Sequence, residues 1–140
     1  MRKEVSCGAV IFTRSGGTLK YVVIRSLEGV CGFPKGHMEG SETEEETALR
    51  EISEEVGLQV TLLPGFRAED SYPLPRRPRV VKRVIYFLAT CDGSQPLRPQ
   101  RSELSGAEWM DFDEAMRSFR FDGVKRILRE ADAYLKEHGL

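Results

Sequence analysis

Apolar and polar residues alternate along this chain in two distinct rhythms, and the rhythms mark out its elements. Positions 5–12 (Val-Ser-Cys-Gly-Ala-Val-Ile-Phe) form an apolar run that ends at Arg14-Ser-Gly-Gly17, which predicts a strand closed by a turn. Positions 19–24 (Leu-Lys-Tyr-Val-Val-Ile) predict its hairpin partner, and 26–31 a loop. Gly32-Phe33-Pro34 is a short extended piece, because Pro34 turns Phe33 away from helical angles. Positions 59–63 open another strand, which 65–72 continue with a more polar character. Positions 80–89 are the strongest strand pattern in the chain, and 104–110 predict a further short strand.

The other rhythm is helical. Positions 41–57 carry it first, with Ser41 as the expected N-cap, Glu44 as its capping-box partner and Gly57 at the C-terminal end. Asp111 or Asp113 caps a short helix reaching Met116. A longer helix runs from Asp122 to about Glu137, with Val124, Ile127, Leu128, Ala131 and Leu135 at helical spacing. Strands and helices in this mixed order predict an α/β or α+β fold, and 140 residues suit one domain spanning 1–140.

The first helix is chemically unusual. Seven residues between Glu42 and Glu55 are glutamates, and Arg50 is the one basic residue among them. Like charges three and four residues apart repel by a few tenths of a kcal/mol per pair, roughly, so something must offset the crowding. At roughly 100° per residue, Glu51, Glu54 and Glu55 share one wedge with Thr47 beside them. Leu49, Ile52 and Val56 fall on another wedge, suited to a core. A divalent cation is the obvious counter-charge, since Mg²⁺ takes carboxylate oxygen and binds substrate phosphates through its remaining positions.

The order of these residues carries a resemblance. Gly36, then Glu42, then Arg50-Glu51-Ile52-Ser53-Glu54-Glu55-Val56-Gly57-Leu58 matches the fixed positions of the Nudix box, so the chain resembles the Nudix hydrolases. The resemblance implies a mixed sheet sandwiched between helices and an enzyme that cleaves a diphosphate linkage with Mg²⁺, or with Mn²⁺ in its place. It implies Glu51, Glu54 and Glu55 as metal ligands, joined by the backbone carbonyl of Lys35 and by the distant Glu103. Either Glu54 or Glu51 takes the proton of the attacking water, and Glu54 is preferred. Arg50 is expected to point to another side of the helix and to pair with Glu42.

A finer likeness adds the substrate. Phe33-Pro34-Lys35-Gly36-His37, Gly65-Phe66 with Tyr72, Lys82 before Val84-Ile85-Tyr86, and Glu103 with Trp109 are similar to the asymmetrical diadenosine tetraphosphate hydrolases. That likeness maps His37, Lys82 and Tyr86 onto phosphate contacts and Tyr72 and Tyr134 onto base contacts. Arg76, Arg77 and Arg79 stand in a basic stretch, read as a loop, that departs from the pattern; facing the metal it favours a long polyphosphate. The rival enzymatic substrates are an RNA 5′ triphosphate, an inositol pyrophosphate or a damaged nucleoside triphosphate. A rival of another class is a nucleotide-binding module without hydrolysis.

Composition narrows the setting more than the chemistry. The formal net charge of −1 points to no bulk partner, so no stable nucleic-acid partner is expected. Cys7, Cys31 and Cys91 are odd in number and widely spaced, which fits a reduced cytoplasmic protein better than a disulfide scaffold or a zinc site. No apolar run approaches the ~20 residues of a membrane span, and the start, from Met1 to Val5, leads into a strand and lacks the pattern of a signal peptide. The expected state is a monomer or a homodimer.

Overall fold

In the computed structural model, which describes Arg2–Leu140, the first strand is the middle of the molecule. Met1, the first residue of the stretch read as leading into a strand, lies outside the described residues. Strand β1 (Arg2–Ser15) is apolar on both faces because it is buried on both. Cys7, Ala9 and Ile11 pack with Ala48, Ile52 and Val56 of helix α1 (Glu44–Val56). Val10 and Phe12 pack on the opposite side with Ile127, Leu128, Ala131 and Leu135 of helix α3 (Asp122–Glu137). Helices thus cover both faces of a mixed sheet, as expected. The short α2 (Phe112–Ser118) joins the α3 side and is capped by Asp111 through a reciprocal box with Glu114.

The pairing around β1 places the site. β2 (Thr18–Ser26) pairs antiparallel with β1 only between Phe12 and Ser15 and then departs. Two short strands use the edges this frees: β3 (Cys31–Gly32) pairs with Ile24 and Arg25 of β2, and β4 (Lys35–His37) pairs with Ser6–Gly8 of β1. The chain entering α1 therefore starts from within the sheet. On the other edge of β1, β6 (Arg77–Thr90) runs parallel from Arg2↔Val80 to Phe12↔Thr90. β5 (Thr61–Leu74) lies antiparallel outside β6, with a register shift between Leu63 and Arg67, and β7 (Leu104–Met110) lies outside β2.

Three local expectations are corrected. The N-cap of α1 is Thr43 with Glu46, not Ser41 with Glu44: the Thr43 hydroxyl accepts from the Glu46 amide at 3.1 Å and the Glu46 carboxylate accepts from the Thr43 amide at 2.8 Å. Ser41 instead sits in a turn closed by the Glu42 amide on the Glu39 carbonyl. Leu49 is 40% exposed, and the inward stripe is Ala48, Ile52 and Val56 with Thr47 beside it. That stripe keeps an i, i+4 spacing, and Leu49 stands one residue, roughly 100°, off its line. The basic stretch is not a long loop either. Leu74 and Arg77 are joined by a two-residue turn, and from Arg77 the chain is already strand β6.

Candidate active site

Arg50 is the hinge pin of the acidic helix. Its Nε and Nη2 donate to the two Glu42 oxygens at 2.6 and 3.0 Å, the pairing that the resemblance implied. Nη2 also donates to the His37 carbonyl at 2.9 Å, so the guanidinium ties the 38–43 loop to the helix. The Glu42 carboxylate additionally accepts from the Thr47 hydroxyl and the Glu39 amide, both at 2.9 Å. The Arg50 hydrogen bonds, the Glu39 amide and the Thr47 hydroxyl together hold the Glu42 carboxyl down to about 2 despite the opposing cost of burial. A rigid planar fork serves this multiple contact; a lysine point charge could not span it.

The expectation that Arg50 points away from the three clustered glutamates is corrected. Its Nη1 donates to Glu51 at 2.8 Å and to Glu54 at 3.2 Å. The alkyl stem lets the cation curl back over the next turn, which angular spacing alone does not reveal. Glu51 is further confined by Gly36, where any side chain would overlap its carboxylate.

Glu55 has a different environment. Its Oε1 accepts from the Lys35 amide at 3.1 Å, and the carboxyl is pushed up to about 7. Burial is the main cause; the Lys35 amide and ammonium counter it, while Glu51 and Glu103 add to it. Glu103, in the exposed turn before β7, reaches this neighbourhood because its segment is sewn to the end of α1. The Arg98 and Gln100 amides donate to the Val56 and Glu55 carbonyls, each at 2.8 Å.

β4 links these carboxylates to a line of cations on the α3 side of the sheet. Lys35 begins it, and the His37 ring nitrogen lies 3.3 Å from Lys82 Nζ. Lys82 is the register partner of Tyr72 on β5 and of Glu4 on β1. Arg77 at the hairpin donates to Glu4 at 2.5 Å, while Arg76 and Arg79 are exposed beside it. Tyr72 is 38% exposed at the end of this line.

Two aromatic assignments change. Tyr86 is 1% exposed and meets Phe33 edge-on with ring centroids 5.7 Å apart, so it is a core ring beneath the cleft and not an open phosphate contact. Tyr134 cannot stack on the same base as Tyr72. Its hydroxyl donates to the Pro64 carbonyl at 3.1 Å and its ring packs on Phe66 and His138. Gly65, beside it, lies beyond the register shift at Arg67, which is itself five strand residues, roughly 17 Å, from Tyr72. Phe121, which sequence reasoning missed, opens α3 toward this part of β5. Two residues later Gly123 packs so closely on Asp70 that a side chain there would meet its carboxylate, and Asp70 neighbours Tyr72 on one face of β5. Phe121 is 57% exposed, and as the N-cap of α3 it makes no side-chain capping bond. A capping position held by an aromatic was the available signal, since N-caps favour Ser, Thr, Asp and Asn.

The donor set fits a hard divalent cation. Glu51, Glu54, Glu55 and Glu103 offer carboxylate oxygen next to a backbone strand, and the raised Glu55 carboxyl shows charge without adequate neutralisation. Among the described residues no three such side chains are already gathered in ligating positions, and Arg50 donates to two of the four.

A two-sided α/β/α sandwich that sets a glutamate-lined helix beside a row of basic residues suits chemistry on a phosphate anhydride. Residues 2–131 match the family model of the NUDIX domain, and the chain belongs to the Nudix hydrolases, enzymes that split pyrophosphate linkages and generally use divalent metals. It is 33% identical to the asymmetrical bis(5′-nucleosyl)-tetraphosphatase of Sus scrofa, over 93% of this chain and 94% of that protein. Identity to the Rattus norvegicus counterpart is 32% over the same shares. A solved structure of a C. elegans Ap4A hydrolase binary complex superposes with a TM-score of 0.87 at 22% identity, covering 96% of this chain and 98% of that one.

Proposed function

We propose that this Nudix hydrolase cleaves dinucleoside polyphosphates of the diadenosine tetraphosphate type, adding water across one phosphoanhydride bond to give a nucleoside triphosphate and a nucleoside monophosphate. One observation carries the reading: a line of basic residues, Lys35, His37, Lys82 and Arg77, leads from the glutamates of α1 to the exposed Tyr72 ring. Such a line suits a phosphate chain, and a ring at its end suits a base. The full-length likeness to tetraphosphatases supports it.

In this reading Glu51, Glu54, Glu55, Glu103 and the Lys35 carbonyl would hold Mg²⁺, or Mn²⁺ in its place. When bound, the cation neutralises phosphate charge and makes water a better nucleophile. Glu54, with its side chain half in solvent, takes the proton of the attacking water. Arg50 keeps Glu51 and Glu54 in place through its Nη1 hydrogen bonds. His37 and Lys82 draw the phosphate chain along β4, and Tyr72 and Phe121 hold one base. Arg76, Arg77 and Arg79 attract the far end of a long chain. The three thiols are free, consistent with work in the cytoplasm, and no helix among the described residues is long and apolar enough to cross a membrane.

The test is a Mg²⁺-supported panel of diadenosine tetraphosphate, RNA 5′ triphosphate, inositol pyrophosphate and oxidised nucleoside triphosphate, with products resolved by chromatography. ATP and AMP from the dinucleotide are the expected result. Tyr72→Ala or Phe121→Ala should weaken dinucleotide binding about tenfold while sparing the base-free substrate. Preference for a base-free substrate, or equal losses on both, refutes the proposal. Failure to split any of the four returns the chain to the binding-module alternative.

A further inference from the structure

The cation line already holds an anion of the protein's own. Glu4 lies on β1 in register with Lys82, on the face of the sheet that carries His37 and Tyr72. One Glu4 oxygen accepts from Arg77 at 2.5 Å, and the other is 3.7 Å from the His37 ring nitrogen, itself 3.3 Å from Lys82. Burial opposes the Glu4 charge, yet Arg77, His37 and Lys82 outweigh it and keep the carboxyl below its ordinary range. Arg77 and the His37 ring, with Lys82 in register beside them, are thus gathered about one carboxylate. They come from β4, the start of β6 and its middle, and Glu4 is what they share.

From this geometry we infer that Glu4 is an internal counter-anion of the phosphate-binding line, occupying Arg77 and the His37 ring beside Lys82 until the phosphate chain of the substrate displaces it, and so setting the affinity of the site. The inference rests on the reading of Lys82 and His37 as phosphate contacts. A carboxylate in this place does two things. It keeps mutually repelling cations together in the absence of ligand, and it makes every incoming phosphate compete for them. The displacement lowers every affinity by a similar factor, so a chain bearing several charges keeps a usable affinity where a single phosphate has little left.

Glu4→Gln keeps the shape and removes the charge. In titration calorimetry with inorganic tripolyphosphate in EDTA, the variant should bind roughly three- to tenfold more tightly than the wild type, the gain of a partly exposed ion pair no longer broken on binding. Inorganic phosphate, which displaces the same carboxylate, should gain by a similar factor. Glu4→Asp retains the charge one methylene further back, and its affinity should fall between the other two, which gives a reading even if Glu4→Gln folds poorly. Unchanged or weaker tripolyphosphate binding in a folded Glu4→Gln overturns the inference, because Glu4 then only braces the cations. Absence of tripolyphosphate binding in both proteins also overturns it, since the line takes no phosphate chain; whether dinucleotides are cleaved is judged separately by the substrate panel.

Discussion

Removing the charge of Glu55 should make the metal-free protein more stable at alkaline pH, and the structure gives the size. Glu55 is partly buried, receives one amide hydrogen bond from Lys35, and has Glu51 and Glu103 nearby. Its carboxyl is pushed from 4.5 to about 7. The folded value lies above the unfolded one, so this group's contribution to stability is fully present below about pH 4.5 and is lost as pH rises through about 7. A shift of this size corresponds to about 3 kcal/mol at most. For a domain of this length that is on the order of 10 °C in Tm. Glu55→Gln abolishes the dependence. The assay is thermal unfolding in EDTA from pH 5 to 8.5, taken as variant minus wild type so that other titrating groups cancel. The difference should grow with pH. With saturating Mg²⁺ it should shrink or change sign, since the cation stabilises the carboxylate that the variant lacks. A difference that stays flat in EDTA would falsify the account of Glu55 as a charge awaiting neutralisation.

Further outcomes follow from neighbouring contacts. Gly36→Ala should cost activity about tenfold or more with a modest change in Tm, because the added methyl displaces the Glu51 carboxylate; wild-type kcat in this variant would show that Glu51 has room to move. Arg50→Lys should lower both Tm and kcat, since a point charge cannot span Glu42, Glu51, Glu54 and the His37 carbonyl, and undiminished values for both would refute the role of the fork. Tyr134→Ala should lower Tm and leave KM for diadenosine tetraphosphate unchanged, the reverse of Tyr72→Ala; a raised KM without lost stability would return Tyr134 to the base site. Glu54→Gln should reduce turnover about 100-fold or more without unfolding the protein, and near-normal turnover with Mg²⁺ would remove Glu54 from the chemistry.

Most of the fold was legible because its signals are local. The apolar runs of β1 and β6, the turn at Gly16-Gly17 and the stripe of α3 each follow from a few consecutive residues. The Arg50–Glu42 pair was legible through the family motif. Errors arose where two local signals competed or where tertiary distance decided. Ser41–Glu44 and Thr43–Glu46 are both acceptable capping boxes; Glu42, turned back toward Arg50, leaves the second as the helix start. Leu49 is apolar yet outside, because Ala48 leads the i, i+4 line that meets β1. Tyr86 and Tyr134 look equally suited to a ligand in sequence, and only the sheet register and the packing of α3 bury one and remove the other. Glu4 and Arg77 stand 73 residues apart, so no window of sequence could have joined them.

The central place of β1 also dictates when this protein can fold. Its long parallel partner is β6, 78 residues further on (80 − 2 from Arg2↔Val80), and the two pair over eleven residues. A growing chain can make the β1–β2 hairpin and begin α1 early, but β1 has an open edge until residues 80–90 have been synthesised. Contacts of such sequence separation form slowly and leave an apolar strand exposed meanwhile. The acidic helix, whose apolar stripe rests on β1, therefore gains its support late in synthesis, so a ribosome-bound chain stopped before residue 90 should be protease-sensitive and unable to hold a metal.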